Sequence, residues 1–183
     1  VGGTVRAQYP GCTARFAELM TPAVAQRFQV LAVSASNRAF SRLSAPFLAA
    51  TRALRELNPA LRVMTFGSYM KTRVPCARLI NETGGSAACG RPENLDYFEA
   101  DPARDRLFEP FMAVTDLYID RIDLLCDERR PERCPTETPG GVPAFYDKHH
   151  HSRAFARYTG ERFAEGHPDP VRELLGDVSP HAR

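Results

Sequence analysis

Phe28-Gln-Val-Leu-Ala-Val33 and, further along, Leu61-Arg-Val-Met-Thr-Phe66 decide the fold class of this chain. The first run is continuously apolar, the pattern of a strand buried on both faces of a parallel sheet. Ser34-Ala-Ser-Asn37 follows it as a polar turn. A helix is then expected to open at Ser44 and Pro46, with Phe47, Leu48, Thr51, Leu54 and Leu57 on one stripe, and to close at Asn58-Pro59. Gly67 ends the second run. Strand, helix and strand at this spacing form a right-handed βαβ crossover, so the sheet is parallel.

Outward from this unit, Val5-Arg-Ala-Gln-Tyr9 reads as a short strand stopped by Pro10-Gly11. The region 71–105 is rich in Gly, Pro and Asn and is expected to be irregular. Residues 107–115 read as helix, and 117–125 as strand in part, starting at Tyr118-Ile119. Ala144-Phe-Tyr146 ends a short aromatic strand, and a last helix over 152–165 turns Phe155, Tyr158 and Phe163 inward. A Pro-containing tail over 166–183 is expected to be poorly ordered. The expectation is one α/β domain over 1–165: three layers, α/β/α, around a mostly parallel sheet.

The totals bound the function. At 183 residues, 43% hydrophobic and 25% charged, the chain suits one globular domain with a sizeable core. A net charge of +2 without a dense basic block argues against nucleic acid as a partner. No apolar run reaches the length of a membrane span, and the N-terminus lacks a signal-peptide layout. The chain starts at Val1 and reads as a processed product or a fragment. Cys76 and Cys89 bracket a Gly-rich segment, and Cys126 and Cys134 a charged one. Two locally bridged loops suit an oxidising compartment. Zinc is the competing reading, although no C-x-x-C pair is present. Cys12 is the fifth cysteine, either free or paired outside the chain.

The chemistry-bearing stretch is Phe145-Tyr-Asp147-Lys-His149-His150-His151-Ser152. Asp147 and His150 stand in the order acid-x-x-base. That spacing lets a carboxylate reach the Nδ1–H of an imidazole and leaves Nε2 free to take a proton from a nucleophile. His149 is the alternative base. The His149–His151 run invites a metal reading, but adjacent side chains diverge and rarely chelate one ion, so neither metal nor cofactor is expected. Asn81-Glu-Thr83 has the form of a glycosylation sequon and is read as a plain loop. Ser34, Ser36, Ser41 and Ser44 read as turn and cap residues, none in a nucleophile elbow.

Tyr146-Asp147-x-x-His150-x-Ser152-x-x-x-Ala156, with Leu125-Cys126 and Cys134 ahead of it, resembles the last block of the SGNH (GDSL-like) hydrolase superfamily. In particular it is similar to the extracytoplasmic SGNH domain fused behind membrane acyltransferase-3 proteins, which O-acetylate bacterial surface polysaccharides. Tyr9-Pro-Gly-Cys12 is similar to the family's second strand and its Gly-Cys turn.

The resemblance implies an SGNH/flavodoxin-like sandwich that lacks its first strand, with Asp147 orienting His150 as general base. It implies Gly11 and Asn37 as oxyanion contributors, although the spacing around Asn37 does not reproduce the family's G-x-N-D. It implies a periplasmic or extracytoplasmic place, a carbohydrate substrate and a membrane acyltransferase domain as partner. Acyl transfer or ester hydrolysis would run through a serine ester. Two departures stand out: no Gly-Asp-Ser occurs in the chain, and His151 stands where the family has Leu. The serine is therefore expected outside these residues, and a non-catalytic SGNH-like binding or structural module is the alternative.

Overall fold

The computed structural model describes residues 17–34, 37–67, 70–96, 108–127 and 133–176. A short helix α1 (Pro22–Ala25) precedes strand β1 (Val30–Ser34), helix α2 (Asn37–Leu57) and strand β2 (Arg62–Gly67). The next segment holds strand β3 (Lys71–Thr72), helix α3 (Cys76–Thr83) and strand β4 (Leu95–Asp96). A helical turn over 108–112 leads to strand β5 (Leu117–Asp120) and helix α4 (Arg121–Leu125). Helices α5 (Arg153–Gly166) and α6 (Pro170–Leu175) complete the described chain.

The main sheet has the order β1-β2-β5, with both pairings parallel. The βαβ crossover read from the sequence is therefore present. Register pairs Val33 with Thr65 and Thr65 with Tyr118, so these three side chains share one face. On that face Val33, Phe47 and Tyr118 pack against the buried pair Phe108 and Phe111. Phe66 belongs to the opposite face, where its ring meets Phe163 of α5 at 5.8 Å. Helices thus cover both faces, the expected α/β/α arrangement. Asp120 caps α4 by accepting hydrogen bonds from the backbone N–H of Ile122 (2.9 Å) and Asp123 (3.4 Å).

Four local expectations are corrected. β1 is not buried on both faces: Ala32 and Ser34 are exposed, because among the described residues β1 is the edge of the sheet. α2 opens at Asn37 rather than Ser44, with Pro46 inside it. A lost proline N–H removes only one ladder bond, and the apolar stripe beyond it holds the helix to the sheet. The region expected to be irregular is built over 71–96. There Cys76 and Leu79 of α3 and Leu95 of β4 are buried in the largest core cluster. The expected tail likewise contains α6, whose Asp169 accepts from the Arg172 N–H at 2.9 Å and whose Leu174 is buried. Asp-Pro at 169–170 is a cap followed by an N1 proline, a start signal the composition of the tail had masked.

Both expected cysteine pairs are disulfides, Cys76–Cys89 and Cys126–Cys134. All four cysteines lie in the largest core cluster, together with Phe145 and Phe155. The disulfides therefore staple the packing around Phe145, where the expected strand end is only an isolated bridge to His151. Cys12 and the strand read over 5–9 lie outside the described residues.

Candidate active site

The acid–histidine stretch is a short loop closed at its base. Phe145 and His151 form an antiparallel bridge, the Tyr146 N–H donates to the His150 carbonyl at 3.3 Å, and the Ser152 N–H donates to the Ala144 carbonyl at 2.7 Å. Phe145 is fully buried on one side of this closure and Phe155 on the other. Phe155 is placed by α5, whose N-cap Ser152 accepts from the Phe155 N–H at 3.2 Å. Thr72 of β3 pins the loop from a third direction. Its N–H donates to the Lys148 carbonyl at 3.0 Å and its hydroxyl to the Asp147 carbonyl at 3.3 Å, and Thr72 itself is buried.

Within this frame the Asp147 carboxylate is fully used. Oδ1 accepts the backbone N–H of His149 and of His150, both at 2.7 Å, which makes an Asx-type turn. Oδ2 accepts from His150 Nδ1 at 2.7 Å. The hydrogen bond from the His150 ring, then those from the two backbone N–H groups, hold this carboxyl well below the usual carboxylate range. An ionised acceptor places the imidazole proton on Nδ1 and leaves Nε2 as the basic nitrogen. The pair is open to solvent, with side-chain exposures of 41% for Asp147 and 66% for His150. The Tyr146 ring lies nearly parallel to the His150 ring, 15° apart with centroids at 5.7 Å. His149 meets Asp147 through its backbone N–H.

His151 turns the other way. Its ring packs between Phe145 (5.1 Å) and Phe155 (5.0 Å, edge-on). Burial, and next the charge of Arg121, push its pKa down from 6.5 to about 4, so it is neutral at pH 7. Arg121 is the first residue after β5. Its Nε donates to the Gly67 carbonyl at 3.0 Å and its Nη1 to Ser34 Oγ at 3.3 Å. One guanidinium therefore joins the carboxyl ends of all three strands of the main sheet, the edge where open α/β sheets collect reacting groups. A Cβ at Gly67 would run into the Tyr118 phenol, so this edge has room only for glycine there.

Of the residues singled out from the sequence, Asp147 and His150 are brought into direct contact. Gly11 lies outside the described residues, as does the side chain of Asn37, whose backbone opens α2. Among the described residues no group of three His, Cys, Asp or Glu side chains is arranged to hold a metal ion. Sequence reasoning missed Thr72 and Arg121. Arg121 carried a usable signal, since it directly follows a strand end; Thr72 carried none.

The family model described as "SGNH domain (fused to AT3 domains)" matches residues 7–165. Among solved structures, the periplasmic domain of a lipopolysaccharide acetyltransferase from Salmonella ser. Paratyphi A aligns with a TM-score of 0.60 at 15% identity. The alignment covers 84% of this chain and 60% of that domain, a likeness of fold. No curated protein matches the chain.

Proposed function

The chain belongs to the SGNH domain family that occurs fused to AT3 domains, and from that premise we propose that it serves O-acyl transfer to a bacterial cell-surface polysaccharide. The observation that carries this reading is the 2.7 Å bond between Asp147 Oδ2 and His150 Nδ1. It leaves Nε2 of His150, on a solvent-exposed side chain, free to accept a proton.

In the proposed chemistry, Nε2 of His150 takes the proton from a serine hydroxyl as that oxygen attacks the acyl carbonyl. The leaving group departs with a proton returned from His150, and a serine ester forms. A sugar hydroxyl, deprotonated by His150 in turn, attacks the ester carbonyl; the bond between acyl carbon and serine oxygen breaks, the serine takes the proton back from His150, and water in place of the sugar gives hydrolysis. Asp147 fixes the tautomer and stabilises the imidazolium formed in both steps. Gly11 and Asn37 are the proposed oxyanion contributors. The serine is proposed to come from polypeptide beyond these 183 residues, because the chain contains no Gly-Asp-Ser. An extracytoplasmic location is supported by the two disulfides. Among the described residues no helix is long and apolar enough to cross a membrane.

A second reading, a non-catalytic SGNH-like module, is favoured by the same missing Gly-Asp-Ser. One experiment separates the two: His150→Ala and Asp147→Asn are introduced in the producing cell, and O-acetyl on its surface polysaccharide is quantified by proton NMR. Loss of a general base lowers the rate by about 100- to 10,000-fold, so near-complete loss of O-acetyl is expected for His150→Ala. Unchanged acetylation, with the variant protein present at normal level, would leave only the non-catalytic module.

A further inference from the structure

We propose that Tyr146 is a stacking platform for a pyranose ring, held beside His150 to seat the acceptor sugar. This rests on the polysaccharide reading above and names the part of the site that would grip it. Ala144 and Phe145 are buried to 0% and 1%, yet the next ring, Tyr146, is 59% exposed. Among the described residues Tyr146 is the most exposed of the large hydrophobic side chains.

Nor does the ring hang free. The ring lies near-parallel to the His150 imidazole, with centroids 5.7 Å apart, and remains exposed. The loop behind it is pinned through Thr72 to the Asp147 and Lys148 carbonyls and through the Tyr146–His150 backbone bond. A platform fixed in this way loses little entropy when a ligand settles on it.

The rim chemistry selects the occupant. Lys148, His149 and His150, all exposed, follow Tyr146 on the same loop and carry hydrogen-bonding groups. A pyranose has the complementary make-up: an apolar C–H face for the ring and peripheral hydroxyls for the rim. A lipid chain would leave those polar groups unmatched. The platform and the proposed base lie on one loop, their ring centroids 5.7 Å apart.

The test is saturation-transfer NMR on the 183-residue chain with maltohexaose and chitohexaose as probes. Transfer to the ring C–H protons of at least one probe is expected. Affinity should fall at least about tenfold in Tyr146→Ala and in Tyr146→Leu, which keeps bulk without the π face, and stay within about twofold in Tyr146→Phe. Tyr146 is exposed, so these variants should melt within a few degrees of the parent, and Tyr146→Leu serves if Tyr146→Ala does not fold. Absence of transfer, or equal affinity in Tyr146→Leu, overturns the platform. Tyr146-dependent binding to phosphatidylglycerol vesicles in place of the glycans overturns it as well. The assay needs no ester chemistry: if acetylation survives His150→Ala while Tyr146-dependent binding is seen, the platform stands and the acyl-transfer reading falls. The converse result removes only the platform.

Discussion

His151→Leu should flatten the acid limb of the stability curve. The native His151 pKa is about 4 against an ordinary value of 6.5, because the ring is buried between Phe145 and Phe155 and faces the Arg121 charge. The unfolded chain therefore binds a proton that the native state refuses between those two values. Stability from this source is complete above about pH 6.5 and is lost as pH falls toward 4. With those two pKa values, the loss between pH 7.5 and 4.5 is about 2.5 kcal/mol at most, with partial solvent screening reducing it.

Asp147 acts in a different window. Its folded pKa is depressed below the ordinary 3.8, so its contribution persists down to about pH 4 and is lost only below that. Leucine at 151 does not titrate and keeps an apolar group against the two rings. Urea unfolding followed by far-UV circular dichroism, without reductant, at pH 7.5, 5.5 and 4.5 reads the difference. The parent should lose about 1.5–2.5 kcal/mol more than His151→Leu over that range. Parallel curves for the two proteins would refute the claim that His151 is held neutral by its surroundings.

Other consequences are local. Replacing Cys76 and Cys89 together by serine releases a loop of sequence separation 13 and should cost about 3 kcal/mol, measured by urea midpoint; an unchanged midpoint would show that the bridge constrains little. Alkylation of native protein before and after reduction, read by mass spectrometry, should protect Cys76, Cys89, Cys126 and Cys134 only before reduction. Gly67→Ala should destabilise by about 1–3 kcal/mol through its clash with the Tyr118 phenol, and pairing it with Tyr118→Ala should remove that interaction; strictly additive losses would contradict the contact. Thr72→Val deletes the hydroxyl that donates to the Asp147 carbonyl. It should cost about 1 kcal/mol and shift the His150 ring resonances in proton NMR, with unmoved resonances arguing that β3 does not position the loop.

What could be read in advance followed local physics. The βαβ unit was legible because Val30, Leu31 and Val33 and then Val63 and Phe66 are β-prone apolar residues around a helical stripe. The disulfides were legible because each pair brackets a short loop. Asp147 and His150 were legible because three residues on a turn suffice to close one carboxylate onto one imidazole. The helix α3 was missed although Cys76, Leu79, Ile80 and Thr83 carry helical spacing, since the surrounding Gly and Pro residues outweighed so short a stripe.

Sequence alone therefore determined the class of the sheet, the covalent staples and the pairing of Asp147 with His150, all products of neighbours along the chain. Tertiary structure decided which histidine faces solvent and which enters the core. His150 and His151 are adjacent and chemically identical, yet His150 pairs with Asp147 at the surface while His151 enters between Phe145 and Phe155. It decided likewise that Thr72 braces the loop from β3, and that Arg121 ties Ser34 to Gly67 at the carboxyl edge. These contacts join residues 75, 54 and 87 positions apart. No periodicity or spacing encodes them, because they exist only once the parallel strands have set their ends side by side.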